Sequence, residues 1–403
     1  MSVAPQHIYL DHNATTPLLP QAAATIVAVY DSAVANPASQ HWAGRKARQL
    51  LEDARDAIAT LVGARCDTAR ADRVVFTSGG TEANNLSLLG LAGQVPGHLI
   101  VSAIEHPCVL GPADELRRRG WTVDLLPVTS DGITRVEALL DLLRPDTRLV
   151  SLMLANNETG VVQPVAQAAA ICAERGIPLH TDAAQAIGKI GVDFGALGAA
   201  AMTTSAHKFG GPPGIGALVL RHDVTLAPLL HGGHQQAGLR PGTEPVALAA
   251  GMQAALEFRQ ANMANTAGQW TALRDEFEVT LRAGWPDLVV NGAGAVRLPQ
   301  TSNVSFPGLD RQALVMALDL AGVSCSTGSA CASGSSEPSP TLLAMDCPRD
   351  VFESALRFSW GASSTAVETA EAARRILKIC NELRGKKLGK KSPPTVADRG
   401  QIW

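Results

Sequence analysis

The sequence predicts an α/β protein: a large unit on a mostly parallel sheet, followed by a smaller α+β unit. Three observations carry this. Between about residues 73 and 220, short β-branched runs alternate with segments of helical periodicity. Those runs are apolar without alternating with polar residues, as strands covered on both faces require. Beyond Pro245 helical stretches lengthen and strand-like runs become sparse.

In chain order, "RKARQLLEDARDAIATLVG" (45–63) carries Ala47, Leu50, Leu51, Ala54, Ala57, Ile58 and Leu61 at helical spacing, and Gly63 closes the helix. "RVVFTS" (73–78) is a strand leading into "EANNLSLLGLA". "HLIVSA" (98–103) leads into a helix ending near Arg119, and "WTVDLLPV" (121–128) into the helical pattern "RVEALLDLLR". "RLVSLML" (148–154) precedes "PVAQAAAICAERG", which "IPLHTDAA" (177–184) follows; "GIGALVLR" (214–221) is one further strand. A long helix is expected from Val246. After it come strands in "DLVVNG" (287–292), "TSNVSFPG" (301–308) and "ALRFSWG" (355–361), and helices over "RQALVMALDLAG" (311–322) and about 366–384. The tail "GKKLGKKSPPTVADRGQIW" has no periodicity and reads as a flexible, solvated end over 385–403.

A chain of 403 residues exceeds what one core usually supports, so two or three domains are expected. A net charge of −3 gives no reason to expect nucleic acid. Apolar runs stop short of the ~18 to 20 residues of a spanning helix, and "MSVAPQHIYLDH" has no secretory pattern, so a soluble cytoplasmic protein is expected, with no membrane partner. The seven cysteines (66, 108, 172, 325, 331, 347 and 380) include no C-x-x-C pair and no zinc-ligand spacing, which disfavours a disulfide framework or structural zinc. "HGGH" (231–234) reads as a glycine-flanked loop. Most of the cysteines, Cys325 among them, are expected in the core. Cys331 stands apart, inside "CSTGSACASGSSEPSP" (325–340), where almost nothing can be buried.

In open parallel sheets, ligands bind at the carboxyl ends of the strands. "TSGGTEANN" (77–85) places Gly79, Gly80 and Thr81 where a strand opens into a helix, a place for an anion, although an ordinary strand-to-helix turn reads the same. In "HTDAAQAIGK" (180–189), Asp182 ends a buried strand and Gln185 follows. The carboxylate either pairs with a protonated ring nitrogen or caps a following helix. "TTSAHKFGGPPGIGAL" (203–218) puts Lys208 before glycines that admit a bulky group, and a lysine in such a setting can form a Schiff base. Lysine, strand-end carboxylate and phosphate cradle together are the parts that pyridoxal phosphate demands.

From about 8 to 384 the chain resembles the cysteine desulfurases, pyridoxal-phosphate enzymes of fold type I. The likeness rests on "YLDHNATTP", "NPASQHWAGRKA", "FTSGGTEANNL", "EHPCVL", "NNETGVVQP", "HTDAAQAIGK", "SAHKFGGPPGIGAL", "LRPGTEP", "STGSACASGSSEPS" and "LRFSWG". The long loop around Cys331 is similar to the iron–sulfur-assembly and nitrogen-fixation branch. The resemblance implies a large cofactor domain over 15–260 and a small domain from 1–14 and 261–384 carrying a mobile loop at about 325–340. It implies that Lys208 holds pyridoxal 5'-phosphate, that His106 stacks on its ring and moves protons, and that Asp182 and Gln185 pair with the ring nitrogen and phenolic oxygen. Gly80, Thr81, Ser205 and His207 would bind the phosphate, with Thr243 of the other subunit of a homodimer. Asn157 and Arg357 would hold the substrate carboxylate. The activity implied is removal of sulfur from L-cysteine, giving alanine and a persulfide on Cys331 for a sulfur-acceptor or scaffold protein. A selenocysteine lyase on the same scaffold is the alternative. No metal is implied beyond Cys331 as a transient iron–sulfur ligand. The chain departs from the family at Pro213, where a lysine is common, and in a C-terminus unlike the segment that docks a scaffold protein.

Overall fold

A computed structural model describes residues 7–32, 35–66, 70–328 and 338–389, with side chains through residue 385. Its elements in chain order are β1 (Ile8–Tyr9), α1 (Pro20–Asp31), α2 (Trp42–Leu61), β2 (Arg73–Thr77), α3 (Gly80–Ala92), β3 (His98–Ser102), α4 (Pro107–Arg118) and β4 (Thr122–Leu126). They continue with α5 (Leu139–Leu142), β5 (Thr147–Ser151), α6 (Val165–Glu174), β6 (Leu179–Asp182), α7 (Phe194–Leu197), β7 (Ala201–Ser205) and β8 (Gly216–Leu220). The remainder is α8 (Val246–Gly284), β9 (Val289–Val290), β10 (Thr301–Ser305), α9 (Arg311–Leu320), β11 (Val323–Ser324), α10 (Pro340–Ala344), α11 (Arg349–Phe352), β12 (Ala355–Ser359) and α12 (Ala366–Gly389).

Seven strands form the main sheet in the order β2-β8-β7-β6-β5-β3-β4. β8 runs antiparallel to both of its neighbours, and the other pairings are parallel. The expected fold class is therefore found, with one reversed strand. The continuous apolar runs have the anticipated cause: Leu99, Ile100 and Val101 are all fully buried, whichever face they point to. The parallel strands share a direction, so their carboxyl ends open on one edge, and the loops after β2, β3, β5, β6 and β7 meet there.

Two further sheets are small: β12-β10-β9, and the parallel pair β1-β11. A second large core joins Ile8 and Leu10 to Trp270, Phe277, Phe306, Phe358, Trp360 and Cys380. The first residues of the chain thus pack with its last third, while the 39 residues of α8 lead from one core to the other.

Three expectations need correction. The helix predicted over "RVEALLDLLR" is reduced to a 3-10 turn (Val136–Ala138) and the four residues of α5, because Leu143 turns extended one residue before Arg144. Cys172 and Cys380 lie in cores, but Cys66 is exposed in the loop after α2, its Sγ 3.3 Å from the Ala64 carbonyl oxygen. Cys325 is half-buried against the edge of the second core, and burial pushes its thiol up. No helix among the described residues is long and apolar enough to cross a membrane.

Candidate active site

A cavity of about 240 Å³ opens at the carboxyl edge of the main sheet. Its walls bring together Gly80, Thr81, His106, Asn157, Asp182, Gln185, Ser205, His207, Lys208 and Arg357, all anticipated from sequence. Nine of them come from the ends of main-sheet strands or the loops that follow: Gly80 and Thr81 after β2, His106 after β3, Asn157 after β5, Asp182 and Gln185 at and after β6, and Ser205, His207 and Lys208 at and after β7. Arg357 comes from β12 of the smaller sheet. Two anticipated residues are not in this group. Thr243 is exposed and does not line the cavity; Cys331 lies outside the described residues.

Close backbone packing shapes the end of the cavity at the start of α3. Gly216 on β8 pairs with Thr77 of β2 on one side and Ser205 of β7 on the other. A Cβ on Gly216 would stand 2.7 Å from the Gly79 carbonyl carbon, so only glycine lets the turn between β2 and α3 approach. A Cβ on Gly80 would stand 3.4 Å from the Ser205 Cβ, closing the gap between the start of α3 and the end of β7. Gly79 supplies no side-chain cap to α3, so helix N–H groups and the Ser205 hydroxyl face one small space, a donor set suited to a phosphate. His207 bonds through Nδ1 to Thr15 Oγ1 (3.2 Å). Burial, with Lys208 and Lys189 nearby, pushes its pKa down to about 4.

Lys208 Nζ donates to the main-chain carbonyls of Asn13 (2.6 Å) and Ala14 (2.9 Å). Asp182 works on two sides: Oδ1 accepts from the Ala184 N–H (2.9 Å) and Oδ2 from Asn84 Nδ2 (2.7 Å). Of the two readings of this carboxylate, capping is met only as a tight turn, since no regular helix follows before α7. His106 is the N-cap of α4, with Nδ1 accepting from the Cys108 N–H at 3.2 Å. An accepting Nδ1 leaves the ring proton on Nε2. Burial foremost, with Lys208 and Arg357 adding and Asp182 opposing, lowers the His106 pKa, which keeps the ring neutral.

Arg357 is 1% exposed. Its Nη1 donates to the Asn157 (3.1 Å) and Gly328 (2.8 Å) carbonyls, and its Nη2 pairs with Asp11 (2.7 Å). Its Nε is buried with no protein acceptor among the described residues, a donor at the wall of a cavity suited to a carboxylate.

Sequence reading missed four residues. Asn13 is a fully buried hub: its N–H donates to Ser359 Oγ (2.8 Å) and its Nδ2 to Thr301 Oγ1 (2.9 Å) and the Asn157 carbonyl (3.2 Å). Asn84 holds Asp182. Cys108, expected in the core, lines the cavity, with Sγ 2.8 Å from His106 Nδ1 and 2.9 Å from Asn84 Nδ2. Lys189 lies beneath Gln185. The quoted motifs contain all four, yet an isolated Asn or Cys carries no periodic signal, so only the folded geometry exposes their part.

A larger cavity of about 540 Å³ lies elsewhere, between Arg48, Arg55, Arg73, His234, Gln236 and Glu244. Its lining has no lysine, cysteine or hydroxyl and contains none of the site residues anticipated from sequence.

Residues 8–370 match the family model for class-V aminotransferases. An IscS-like cysteine desulfurase of Mycobacterium tuberculosis is 40% identical over 379 residues, spanning 92% of this chain and 95% of that protein. The cysteine desulfurase IscS of Dictyoglomus turgidum is 38% identical over 382 residues, spanning 94% and 96%. A solved NifS-like protein superimposes with a TM-score of 0.86 at 31% identity, covering 94% of this chain and 100% of that one. Pyridoxal phosphate is the cofactor of this family, and the lysine, strand-end carboxylate and helix N-terminus of the cavity fit it. The chain belongs to the class-V aminotransferases, within their cysteine desulfurases.

Proposed function

We propose that the chain removes sulfur from L-cysteine, releasing alanine and keeping the sulfur as a persulfide on Cys331 for delivery to an acceptor protein. The observation that carries this reading is the convergence of Lys208, His106, Asp182, Gln185 and Arg357 on one cavity at the sheet edge. Bound pyridoxal phosphate supplies an electron sink for the substrate's α-carbon.

The chain's residues do the rest. Gly80, Thr81, Ser205 and His207 hold the phosphate, and Thr243, exposed and away from its own cavity, serves the cavity of a second copy in a homodimer. Asp182 keeps a ring nitrogen protonated by placing a negative charge beside it, and Asn84 keeps that carboxylate aimed. Asn157 and Arg357 orient the substrate carboxylate. The Lys208 amine anchors the cofactor and carries the α-proton, while neutral His106, its proton on Nε2, moves protons at the cavity face. The Cys331 thiolate attacks the substrate sulfur; an S–S bond forms, the C–S bond breaks, and its electron pair stays with the carbon that is protonated to give alanine.

The assignment of 15–260 to a cofactor unit, and of 1–14 with 261–384 to a smaller unit, is supported by the two largest cores. One runs from Leu19 to Leu256 with Leu298 added, and the other joins Ile8 and Leu10 to residues from Trp270 to Cys380. We place the protein in the cytoplasm, with iron–sulfur assembly or another sulfur-transfer route downstream and Cys331 as a transient cluster ligand.

The test is stoichiometric: sulfide and alanine are measured after incubation with L-cysteine and a reductant, beside Cys331→Ala. Equal yields, lost in the variant while its visible spectrum still responds to cysteine, are expected. Unchanged alanine from the variant would remove Cys331 from the reaction, and turnover of selenocysteine alone would favour the lyase.

A further inference from the structure

Lysine is among the residues least often buried, yet Lys189 is 4% exposed. It sits under the cavity floor, at the end of the turn that follows β6, and its Nζ donates to Gln185 Oε1 at 2.9 Å. The charges acting on it are those of Lys208, Arg259 and Arg357, all positive, and burial pushes its pKa well below the ordinary lysine value. Burial foremost, with Lys189 adding to it, depresses His12, and burial with Lys208 and Lys189 does the same to His207. An amine buried beside three positive charges is a cost to folding that an apolar side chain of similar length would avoid. Such a cost calls for a function.

Gln185 supplies one. Its Nε2 donates to the Asn13 carbonyl at 3.0 Å, and that same carbonyl accepts from Lys208 Nζ at 2.6 Å. A glutamine amide can stand either way round unless its neighbours decide. Here they do: the Asn13 main-chain carbonyl can only accept, so Nε2 must face it, and Oε1 is left to take an N–H of Lys189. With oxygen held down by Lys189 and nitrogen held toward Asn13, the N–H face of Gln185 is the one presented to the cavity it lines.

We propose that Lys189 is a positioning residue that acts through Gln185, locking its amide so that the cavity meets a donor and never the carbonyl oxygen. This rests on the reading that Gln185 faces the phenolic oxygen of bound pyridoxal phosphate. An oxygen turned toward that anionic atom would repel it, so orientation decides whether Gln185 helps or hinders.

The experiment reconstitutes apo-protein with pyridoxal phosphate and reads the affinity, together with the pH at which the visible absorption of the lysine-bound cofactor changes. The chains are wild type, Lys189→Met, Lys189→Arg, Gln185→Ala and the Lys189→Met/Gln185→Ala double variant, with thermal unfolding recorded for each. Methionine fills the space of the lysine stem without a charge, so Lys189→Met should fold with wild-type stability or better. It should bind the cofactor about tenfold more weakly and titrate about one pH unit higher, the size of one hydrogen bond to a charged group. Lys189→Arg should recover most of this. In the Gln185→Ala background the Lys189→Met change should add nothing. An effect of Lys189→Met that persists at full size in that background would overturn the proposal, because the lysine would then act by its charge alone. A wild-type chain that formed no visible chromophore would overturn the reading of the cavity, and this inference with it.

Discussion

Replacing Gly216 with alanine tests whether the strand behind the cavity sets the phosphate end. The residue does not line the cavity; it lies on β8, paired with Thr77 on one side and Ser205 on the other. Its φ is not positive, so the backbone accepts alanine and the only new element is one methyl group. That methyl would meet the Gly79 carbonyl carbon at 2.7 Å, the Thr204 oxygen at 2.7 Å and the Gly79 Cα at 2.8 Å. Carbon atoms prefer at least about 3.5 Å, so the turn must retreat by roughly 0.8 Å. Overpacking of this kind costs about 1–3 kcal/mol of stability. The retreat also draws Gly79 and Gly80 away from Ser205 and Lys208, and displacements near 1 Å in a site can cost about 100-fold. We expect pyridoxal phosphate to bind the apo-protein 10- to 100-fold less tightly, measured by absorbance titration, alongside a lower urea midpoint. Gly268→Ala in α8 is the control: nothing lies within 4 Å of its new methyl, and helix propensity should raise stability by about 0.5–1 kcal/mol with binding unchanged. If Gly216→Ala lost stability but kept its affinity, strand packing and phosphate geometry would be independent, and the reasoning would fail.

Two further outcomes follow from buried polar groups. Cys108→Ala removes the acceptor for one Asn84 N–H while the other still holds Asp182. It should cost about 1–3 kcal/mol for a buried donor left unsatisfied and lower turnover, whereas Cys108→Ser should restore most of both; equal behaviour of the two variants in urea unfolding and in sulfide release would refute the bond. Burial pushes His180 down to about 4, and its ring bonds Ser151 and Thr203. Between pH 6.5 and 4 the unfolded chain takes up a proton there that the folded chain does not. This residue therefore lowers stability as pH falls through that window, with no further loss below it. His180→Gln should flatten that part of the stability profile by up to one proton, and an unchanged slope would contradict a neutral folded histidine.

The sheet and most of the cavity were legible because each depends on local signals. β2, β3, β5, β6 and β7 announce themselves as buried β-branched runs, and a parallel strand's carboxyl end is where chemistry collects, so Gly80, His106, Asp182 and Lys208 could be named from their neighbours. β8 also read as a strand, but its reversed direction did not, since periodicity carries no sign. The short helix at α5 was overestimated because Leu139, Leu140, Leu142 and Leu143 fit a helix until Leu143 turns extended and the chain heads toward β5. Asn84, Cys108 and Lys189 escaped notice for another reason. Their partners lie on other elements, or, for Lys189, in an orientation that spacing cannot fix.

Asn13 shows how far this goes. On one side its carbonyl receives Lys208 and Gln185, which stand on the main sheet. On the other, its N–H and side chain are held by Ser359 and Thr301 of the small sheet and by the Asn157 carbonyl. Arg357, two residues before Ser359, reaches the same Asn157 carbonyl and also the carbonyl of Gly328, three residues before Cys331. One connected set of hydrogen bonds therefore runs from the lysine of the cavity to the root of the segment that carries the proposed sulfur acceptor. Because its links are main-chain carbonyls, single side-chain changes at Gln185 or Ser359 remove one strand of the set and leave the others. Arg357 is different: its Nη1 joins Asn157 to Gly328 and its Nη2 is tied to Asp11. Among the described residues, it is the side chain that ties the Asn157 carbonyl at the cavity to Gly328, the last described residue before Cys331, and the proposed function asks the same side chain to orient the substrate carboxylate.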